Sequence, residues 1–457
     1  MSHHYALKEG VYLITGALNG ALLDTNTGNV YSINHLSVSI LSGQEENSNY
    51  WNRLVVAGLA TRDSENIESQ LPRMENIGLG FVWFEIISDD CNESCIHCYA
   101  ESMPPAHRRA LGLEVEKIAD RQKLTFKQWC SLIDQSYKLG CRRCQFIGGE
   151  PFLYRDGDHT VLDLAEYARS LGFEYVEIFT NATLLTPDKI SRIKSLGLRI
   201  AVSLYSSDSQ VHDSITQTPG SFVKTTTNLR LLKQLGVPTR VETVIMRQNQ
   251  HTLHDTQVLI KDIGFSGKSP DPLRPKGRGG NESIRPSTEI VAQYGYKLKP
   301  NFTAEKSKVA HYSSGHSCLA GKITITDVGD VLPCIFSRNH SIGNVSNLNL
   351  EEVILSAAIQ QIWSTTKDSV LVCQDCEYRY VCFDCRPLSE AAAMGNSDYL
   401  HAPYPRCTYN PYTGEWAQGV WRVNDEGETW YDRSLGPVLQ QIVPLDSISV
   451  PSQSESH

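Results

Sequence analysis

Over the first forty residues apolar positions come in short runs, "GVYLITG", "GALLDT" and "NVYSI", with "NTGN" as a turn between the last two. They give way to "HLSVSILSG", whose apolar residues recur at helical spacing, so a small strand-turn-strand unit followed by a helix is expected. The polar stretch "TRDSENIESQLPRMEN" then reads as a linker. From residue 81 the β-like runs "FVWFEIIS", "CQFIGG", "EYVEIFT", "RIAVSLY" and "TRVETVIM" alternate with helical stretches such as "TFKQWCSLIDQSYKLG" and "PDKISRIKSLG". This alternation predicts a parallel α/β sheet with its active groups at the carboxyl ends of the strands. Beyond about residue 300 the chain is loop-rich with few long periodic segments, and its end, "DSISVPSQSESH", reads as disordered.

In "TFKQWCSLIDQSYKLG", Thr125 and Gln128 form a capping-box pattern, and Phe126, Cys130, Ile133 and Tyr137 share one helical face. Cys130 is therefore expected to be a core residue. "CRRC" supplies Cys141 and Cys144, read as a turn cysteine and a strand cysteine, because no further ligands lie close by in sequence.

Composition narrows the class. The chain has 457 residues, 40% hydrophobic and 20% charged, enough for about three domains of ordinary size. A formal charge of -9 argues against a nucleic-acid partner, since no basic field is available to follow a phosphate backbone. No apolar run approaches a membrane span and the start carries no signal-like core, so a cytoplasmic protein with no membrane partner is expected. In a reducing compartment clustered cysteines favour metal ligands over disulfides. The 13 cysteines are clustered: Cys91, Cys95 and Cys98, then Cys130, Cys141 and Cys144, then none until Cys318, and seven from there to Cys407.

Cys91, Cys95 and Cys98 form a C-x3-C-x2-C segment directly after "FVWFEIIS", which places three thiols in the loop at the carboxyl end of the first strand of the sheet. Zinc with His97 as fourth ligand is one reading, although neighbours such as His97 and Cys98 rarely close one tetrahedron. A [4Fe-4S] cluster with one iron left open is the other.

The segment resembles the radical S-adenosylmethionine (SAM) superfamily, whose shared feature is a CxxxCxxC loop after the first strand of a partial (β/α)6 TIM-type barrel. "FIGGEP" strengthens the resemblance, with Gly148, Gly149, Glu150 and Pro151 at the end of the second strand-like run. The glycines allow close backbone approach to a ligand, and the resemblance implies that this segment holds the SAM amino group, Glu150 offering acceptor oxygens. Asn181 in "IFTNATLL" and Ser203 in "AVSLYSS" are the further SAM-contact candidates, with ordinary strand-end polar residues as the alternative. "RPKGRGG", residues 274–280, falls where the sixth strand's loop is expected and reads as a solvated loop.

The later cysteines are similar to the seven-cysteine SPASM extension of these enzymes: Cys318, Cys334, then Cys373, Cys376, Cys382 and Cys385 as C-x2-C-x5-C-x2-C, and Cys407. A zinc ribbon would leave three of them unexplained. The resemblance implies two auxiliary iron-sulfur clusters, one on Cys318, Cys334 and Cys385 and one on Cys373, Cys376, Cys382 and Cys407. The first would then lack a fourth cysteine, which leaves His311, His316 or a substrate group to complete it, or a cluster of another type. The last pair is spaced CxxC where the common form has three intervening residues.

"GALLDTNTGNVYSINHLSVSILSG" looks like the core of the small domains that bind leader peptides in ribosomal-peptide (RiPP) pathways, where an extended peptide pairs with a strand edge. The alternative is a hairpin cap on the barrel. The expected organisation is a winged-helix-like recognition domain and linker over 1–75, a radical SAM barrel over 76–300, a loop-rich iron-sulfur domain over 301–430 and a tail over 431–457. The resemblance implies an enzyme in which reduced [4Fe-4S] cleaves SAM and the resulting radical abstracts hydrogen from a ribosomally synthesised precursor peptide. A side-chain cross-link, cyclophane-type C–C or thioether, would follow, with a flavodoxin- or ferredoxin-type electron donor. A sulfatase-type protein maturase is the first alternative, disfavoured because Ile335 stands where that family has an aspartate. A non-catalytic zinc and peptide-binding module is the second.

Overall fold

The N-terminal runs do form strands in the computed structural model, which describes residues 5–62, 70–113, 122–346, 348–393, 399–424 and 426–442. The chain divides into two units, one of residues 1–77, 296–320 and 362–457 and one of residues 78–295 and 321–361. The tail "DSISVPSQSESH" and the linker positions 63–69 lie outside the described residues.

In the first unit β1 (Tyr5–Leu7), β2 (Val11–Thr15), β3 (Gly20–Asp24) and β4 (Asn29–Ile33) precede helices α1 (His35–Leu41) and α2 (Ser48–Val56) and strand β5 (Ala60–Arg62). β2, β3 and β4 make an antiparallel sheet, and β1 pairs with β5. Period-two alternation gives this sheet two apolar faces. Val11 and Leu22 pack with Leu54, Leu59 and Ala60 on one side. Tyr12, Ile14, Ala21 and Leu23 pack on the other with Val309, Tyr378, Val381 and Tyr409 from the C-terminal part of the chain. Burial on both faces is why all five residues of β3 are inaccessible. Among the described residues β4 pairs only with β3, and it is exposed or half-buried along its length. The hairpin is thus joined to cysteine-rich segments: Ala17 N donates to Asp375 O at 2.8 Å and Arg379 Nη1 to Thr15 O at 2.8 Å.

The second unit is a partial (β/α) barrel. Parallel strands β6 (Phe81–Ile87), β7 (Arg143–Gly148), β8 (Tyr175–Thr180), β9 (Arg199–Ser203) and β10 (Thr239–Glu242) neighbour one another in that order. β11 (Val244–Ile245) pairs in parallel with β12 (Asp271–Pro272). The run "TRVETVIM" is thus two strands, because the chain changes partner at Thr243, whose carbonyl accepts from Asp271 N at 2.7 Å. On the other side of β6 lies β13 (Lys322–Thr326), also parallel, continued by antiparallel β14 (Asp330–Leu332) and β15 (Gly343–Asn344). Residues 321–361 therefore cluster with the barrel rather than with the other late cysteines.

Helix Phe126–Lys138 begins with the expected capping box, but its buried face is Trp129, Leu132, Ile133 and Ser136. Trp129 meets the Phe84 ring edge-on at 6.0 Å, and this large side chain sets the helix rotation. Cys130 is consequently half-buried and not a core residue. Among the described residues no helix is long and apolar enough to cross a membrane.

Candidate active site

β6 ends at Ile87, and the loop that follows carries Cys91, Cys95 and Cys98 into a cavity of about 430 Å³. Gly148 ending β7, Gly149 after it, Asn181 after β8 and Ser203 ending β9 line the same cavity. Glu150 and Pro151 belong to the same turn but stand behind the lining, Pro151 opening a short 3-10 helix, Pro151–Leu153.

The glycine pair has a local cause. Gly148 has φ +139, and a Cβ there would sit 1.9 Å from the Ile87 carbonyl oxygen; a Cβ on Gly149 would sit 2.1 Å from that of Asp90. Only glycine lets this turn approach the backbone of the cysteine loop, to which Gly149 N donates at 2.6 Å (Ile87 O) and Glu150 N at 3.2 Å (Asp90 O). The fully buried Glu150 carboxylate accepts from Phe152 N at 3.0 Å, Asn181 N at 2.9 Å and Thr180 Oγ1 at 2.8 Å. It therefore ties the end of β7 to the end of β8. Asn181 continues the tie, its Nδ2 lying 2.9 Å from Asn92 Oδ1 and 3.9 Å from Cys91 Sγ.

The loop "RPKGRGG" was expected to be solvated, and in the structure it clamps the cysteine loop. Arg278 donates from N to Cys98 O at 3.0 Å, from Nε to Cys95 O at 2.9 Å and from Nη2 to Ser102 O at 2.7 Å. Gly277, at φ +53, lets the two loops meet: a Cβ would stand 2.6 Å from Tyr99 O. The Gly-Arg-Gly spacing was the signal, and the absence of apolar residues masked it.

The donor set fits a soft-metal cluster. The thiols of Cys91, Cys95 and Cys98 line one cavity, and thiolates are the usual ligands of iron-sulfur clusters. Burial holds the Cys91 and Cys95 thiols well above their ordinary range, and binding of their thiolates to iron would offset that cost. Burial also pushes the Glu93 carboxyl up to about 7. The buried Tyr99 hydroxyl and His97 Nδ1 line the cavity and have no hydrogen-bond partner among the described residues, which suits a ligand-accepting wall. His97 packs edge-on against Tyr205 with ring centroids 4.7 Å apart, and burial followed by Arg278 pushes its pKa down to about 4.

Deeper in the barrel, away from the cysteines in sequence, the cavity has a polar wall that sequence reading missed. Glu177 accepts from Arg240 Nε at 3.0 Å and Nη2 at 2.9 Å, from Tyr175 OH at 2.7 Å and from Gln145. Glu242 is paired with Arg240 and with Lys268 at 2.8 Å. These residues sit on alternate positions of parallel strands, so their side chains meet only once the sheet curls. Ile335, directly after Cys334, also lines the cavity.

In the other unit Cys373, Cys376, Cys382 and Cys407 come together. Cys376, Cys382 and Cys407 pack against the core that holds Tyr378 and Tyr409. Burial, then Cys382 and Cys373, push the Cys407 thiol up to about 12. Cys382 is moved the other way: burial opposes its thiolate, but the Lys297 and Lys367 ammoniums outweigh it. Val372, just before Cys373, is held at φ +67, a strained setting for a β-branched residue. Cys318 and Cys385 lie in this unit as well, whereas Cys334 belongs to the barrel unit. His316 is engaged on both ring nitrogens, Nδ1 accepting from Cys318 N at 3.1 Å and Nε2 lying 3.0 Å from Asp384 Oδ1. None of the 13 cysteines forms a disulfide.

Residues 86–262 match the family described as the Radical SAM superfamily, and residues 318–377 match SPASM, an iron-sulfur cluster-binding domain. The antilisterial bacteriocin subtilosin biosynthesis protein AlbA of Bacillus subtilis is 26% identical over 288 residues, 60% of this chain and 59% of AlbA. An AdoMet-dependent heme synthase of Methanosarcina barkeri is 25% identical over 351 residues, 70% of this chain and 94% of the synthase. PqqA peptide cyclase of Rhodopseudomonas palustris is 23% identical over 264 residues, 54% of this chain and 66% of the cyclase. In fold, the chain is similar to Streptococcus suis SuiB bound to S-adenosylmethionine, with a TM-score of 0.50 at 13% identity over 87% of this chain and 98% of SuiB.

Proposed function

We propose that this chain, which belongs to the radical SAM enzymes and carries a SPASM iron-sulfur domain, is a maturase that modifies a ribosomally made precursor peptide. The observation that carries the reading is the single cavity in which Cys91, Cys95 and Cys98 face Gly148, Gly149, Asn181 and Ser203, with room continuing past them to Trp83, Tyr175 and Phe179. A peptide side chain fits such a shaft. Relatives named for bacteriocin biosynthesis and for peptide cyclisation support the substrate class. The open edge of β4 supports leader binding by strand addition.

In this reading Cys91, Cys95 and Cys98 hold the [4Fe-4S] cluster and leave one iron for SAM. Bound SAM and cluster supply one-electron cleavage of SAM and a hydrogen-abstracting radical. The protein aims and shields. Gly148 and Gly149 set the wall behind the cofactor, Glu150 and Asn181 brace it, Ser203 and His97 face it, and Tyr205 with Phe336 restrict water. The finer assignments are a carbon-carbon or thioether cross-link as product, auxiliary clusters on Cys318, Cys334 and Cys385 and on Cys373, Cys376, Cys382 and Cys407, and a flavodoxin- or ferredoxin-type donor.

The heme synthase relative favours a second reading, a tetrapyrrole substrate, because the match runs along 94% of that protein. Sulfatase-type maturation is disfavoured by Ile335, which reaches the cavity and brings no carboxylate there. The test is anaerobic incubation of the reconstituted enzyme with SAM, a reductant and the peptide encoded beside its gene. Loss of two hydrogen atoms from the peptide supports the maturase; an unmodified peptide together with formation of heme from an added porphyrin supports the second reading.

A further inference from the structure

Lys297 is half-buried and Lys367 is buried, and both ammoniums are turned towards Cys382. Lys297 Nζ lies 3.1 Å from Cys382 Sγ and also donates to the Phe383 carbonyl. Its backbone N–H donates to Arg406 O at 2.9 Å, and the residue forms a parallel bridge with Cys407, so both its ends are fixed. Lys367 is 5% exposed, donates to the Cys382 carbonyl, and has Asp384 Oδ2 3.9 Å from its Nζ.

The local charges do not balance. Asp384 is fully buried and already paired with Arg386 at 2.6 Å, and it also faces His316 at 3.0 Å. The nearby Glu377 carboxylate accepts from the Tyr409 hydroxyl, and Asp368 accepts from Arg379 and Tyr380. Arg386 and Lys367 thus share the one Asp384 carboxylate, while Lys297 adds a further ammonium beside Cys382, so positive charge is in surplus, and holding a cation away from water without a counter-charge is costly. A thiolate-ligated iron-sulfur cluster, which carries net negative charge, is the counter-ion this arrangement lacks.

We propose that Lys297 and Lys367 tune the reduction potential of an iron-sulfur cluster held by Cys373, Cys376, Cys382 and Cys407. The inference rests on that ligand assignment. Reduction adds one negative charge to the cluster, and two fixed ammoniums with an N–H···S bond to Cys382 stabilise the reduced form more than the oxidised one. This cluster is thereby raised in potential, which suits it to take up an electron. Both lysines are positioning residues: they act through the cluster and touch no substrate.

The experiment uses the full chain with Cys91, Cys95 and Cys98 changed to Ala, reconstituted with iron and sulfide, so that only later clusters contribute to redox titrations followed by electron paramagnetic resonance. The signal that disappears in Cys382→Ser identifies the cluster; if none disappears, the ligand assignment fails and the proposal with it. Lys297→Met and Lys367→Met should each shift the reduced-to-oxidised ratio at fixed potential at least tenfold towards oxidised, about 59 mV for one electron. Lys297→Arg should keep it within about threefold. An unchanged ratio with full iron content in the Met variants overturns the proposal. Where a Met variant loses iron, Lys297→Gln decides, since it retains an N–H donor without the charge: the same tenfold shift supports the proposal and an unchanged ratio overturns it.

Discussion

Arg278 Nε donates to the carbonyl oxygen of Cys95 at 2.9 Å across 183 positions of sequence, so the last loop of the barrel holds the first. The same guanidinium reaches Ser102 O at 2.7 Å. A planar fork serving two carbonyls has no equivalent in lysine. Arg278→Ala should lower iron bound at Cys91, Cys95 and Cys98 at least threefold and destabilise the apo-barrel by about 2–3 kcal/mol, as two charge-assisted bonds are lost. Arg278→Lys should recover less than half of either. Iron analysis and denaturant unfolding are the measurements.

The close contact between Gly149 and Asp90 gives a sharper prediction. Gly149→Ala and Gly148→Ala should each cost more than about 3 kcal/mol, because the new methyl meets backbone that cannot move aside. Gly280→Ala, with nothing within 4 Å of its added Cβ, should change stability by less than about 0.5 kcal/mol. Unfolding midpoints at equal m-values will separate the two cases.

Glu85, fully buried on β6, is held at 2.5 Å by both terminal nitrogens of Arg338. Arg338→Met would leave a buried carboxylate alone and should cost about 3–5 kcal/mol, whereas the pair Glu85→Gln with Arg338→Met should recover most of that loss. A double-mutant cycle reads the coupling directly.

His212 is 1% exposed, its Nδ1 accepts from Tyr205 N at 3.2 Å, and burial pushes its pKa down to about 4, against the pull of Asp213. The unfolded chain binds this proton near 6.5. Its contribution is therefore complete above about pH 6.5 and is lost as pH falls towards 4, by up to about 3 kcal/mol. Apo-protein stability measured over that window should slope accordingly, and His212→Gln should flatten the slope.

Strands were legible where alternation or an apolar run was clean: "GALLDT" and "NVYSI" became β3 and β4, and "FVWFEIIS" became β6. Helix Ser48–Val56 is not legible in the sequence although Asn47 caps it and Tyr50, Trp51, Leu54 and Val55 pack into the core, because polar residues dilute the period. The three-cysteine loop and the GGEP turn were readable as spacings, since their chemistry demands fixed residue types. Their mutual support was not: Glu150 to Asn181, Arg278 to Cys95 and Lys297 to Cys382 are long-range contacts that local pattern cannot encode. The reason for Gly148 and Gly149 was likewise hidden, as the neighbour they spare is the protein's own backbone.

Peptide maturation is read out by mass spectrometry of the precursor peptide after anaerobic turnover, with deoxyadenosine measured in the same samples. The expected product is a peptide lighter by two hydrogens with matching deoxyadenosine, both abolished by Cys91→Ala, Cys95→Ala or Cys98→Ala, while His97→Phe retains its cluster. Deoxyadenosine formed at full iron content with the peptide left unchanged would contradict the peptide-maturase reading.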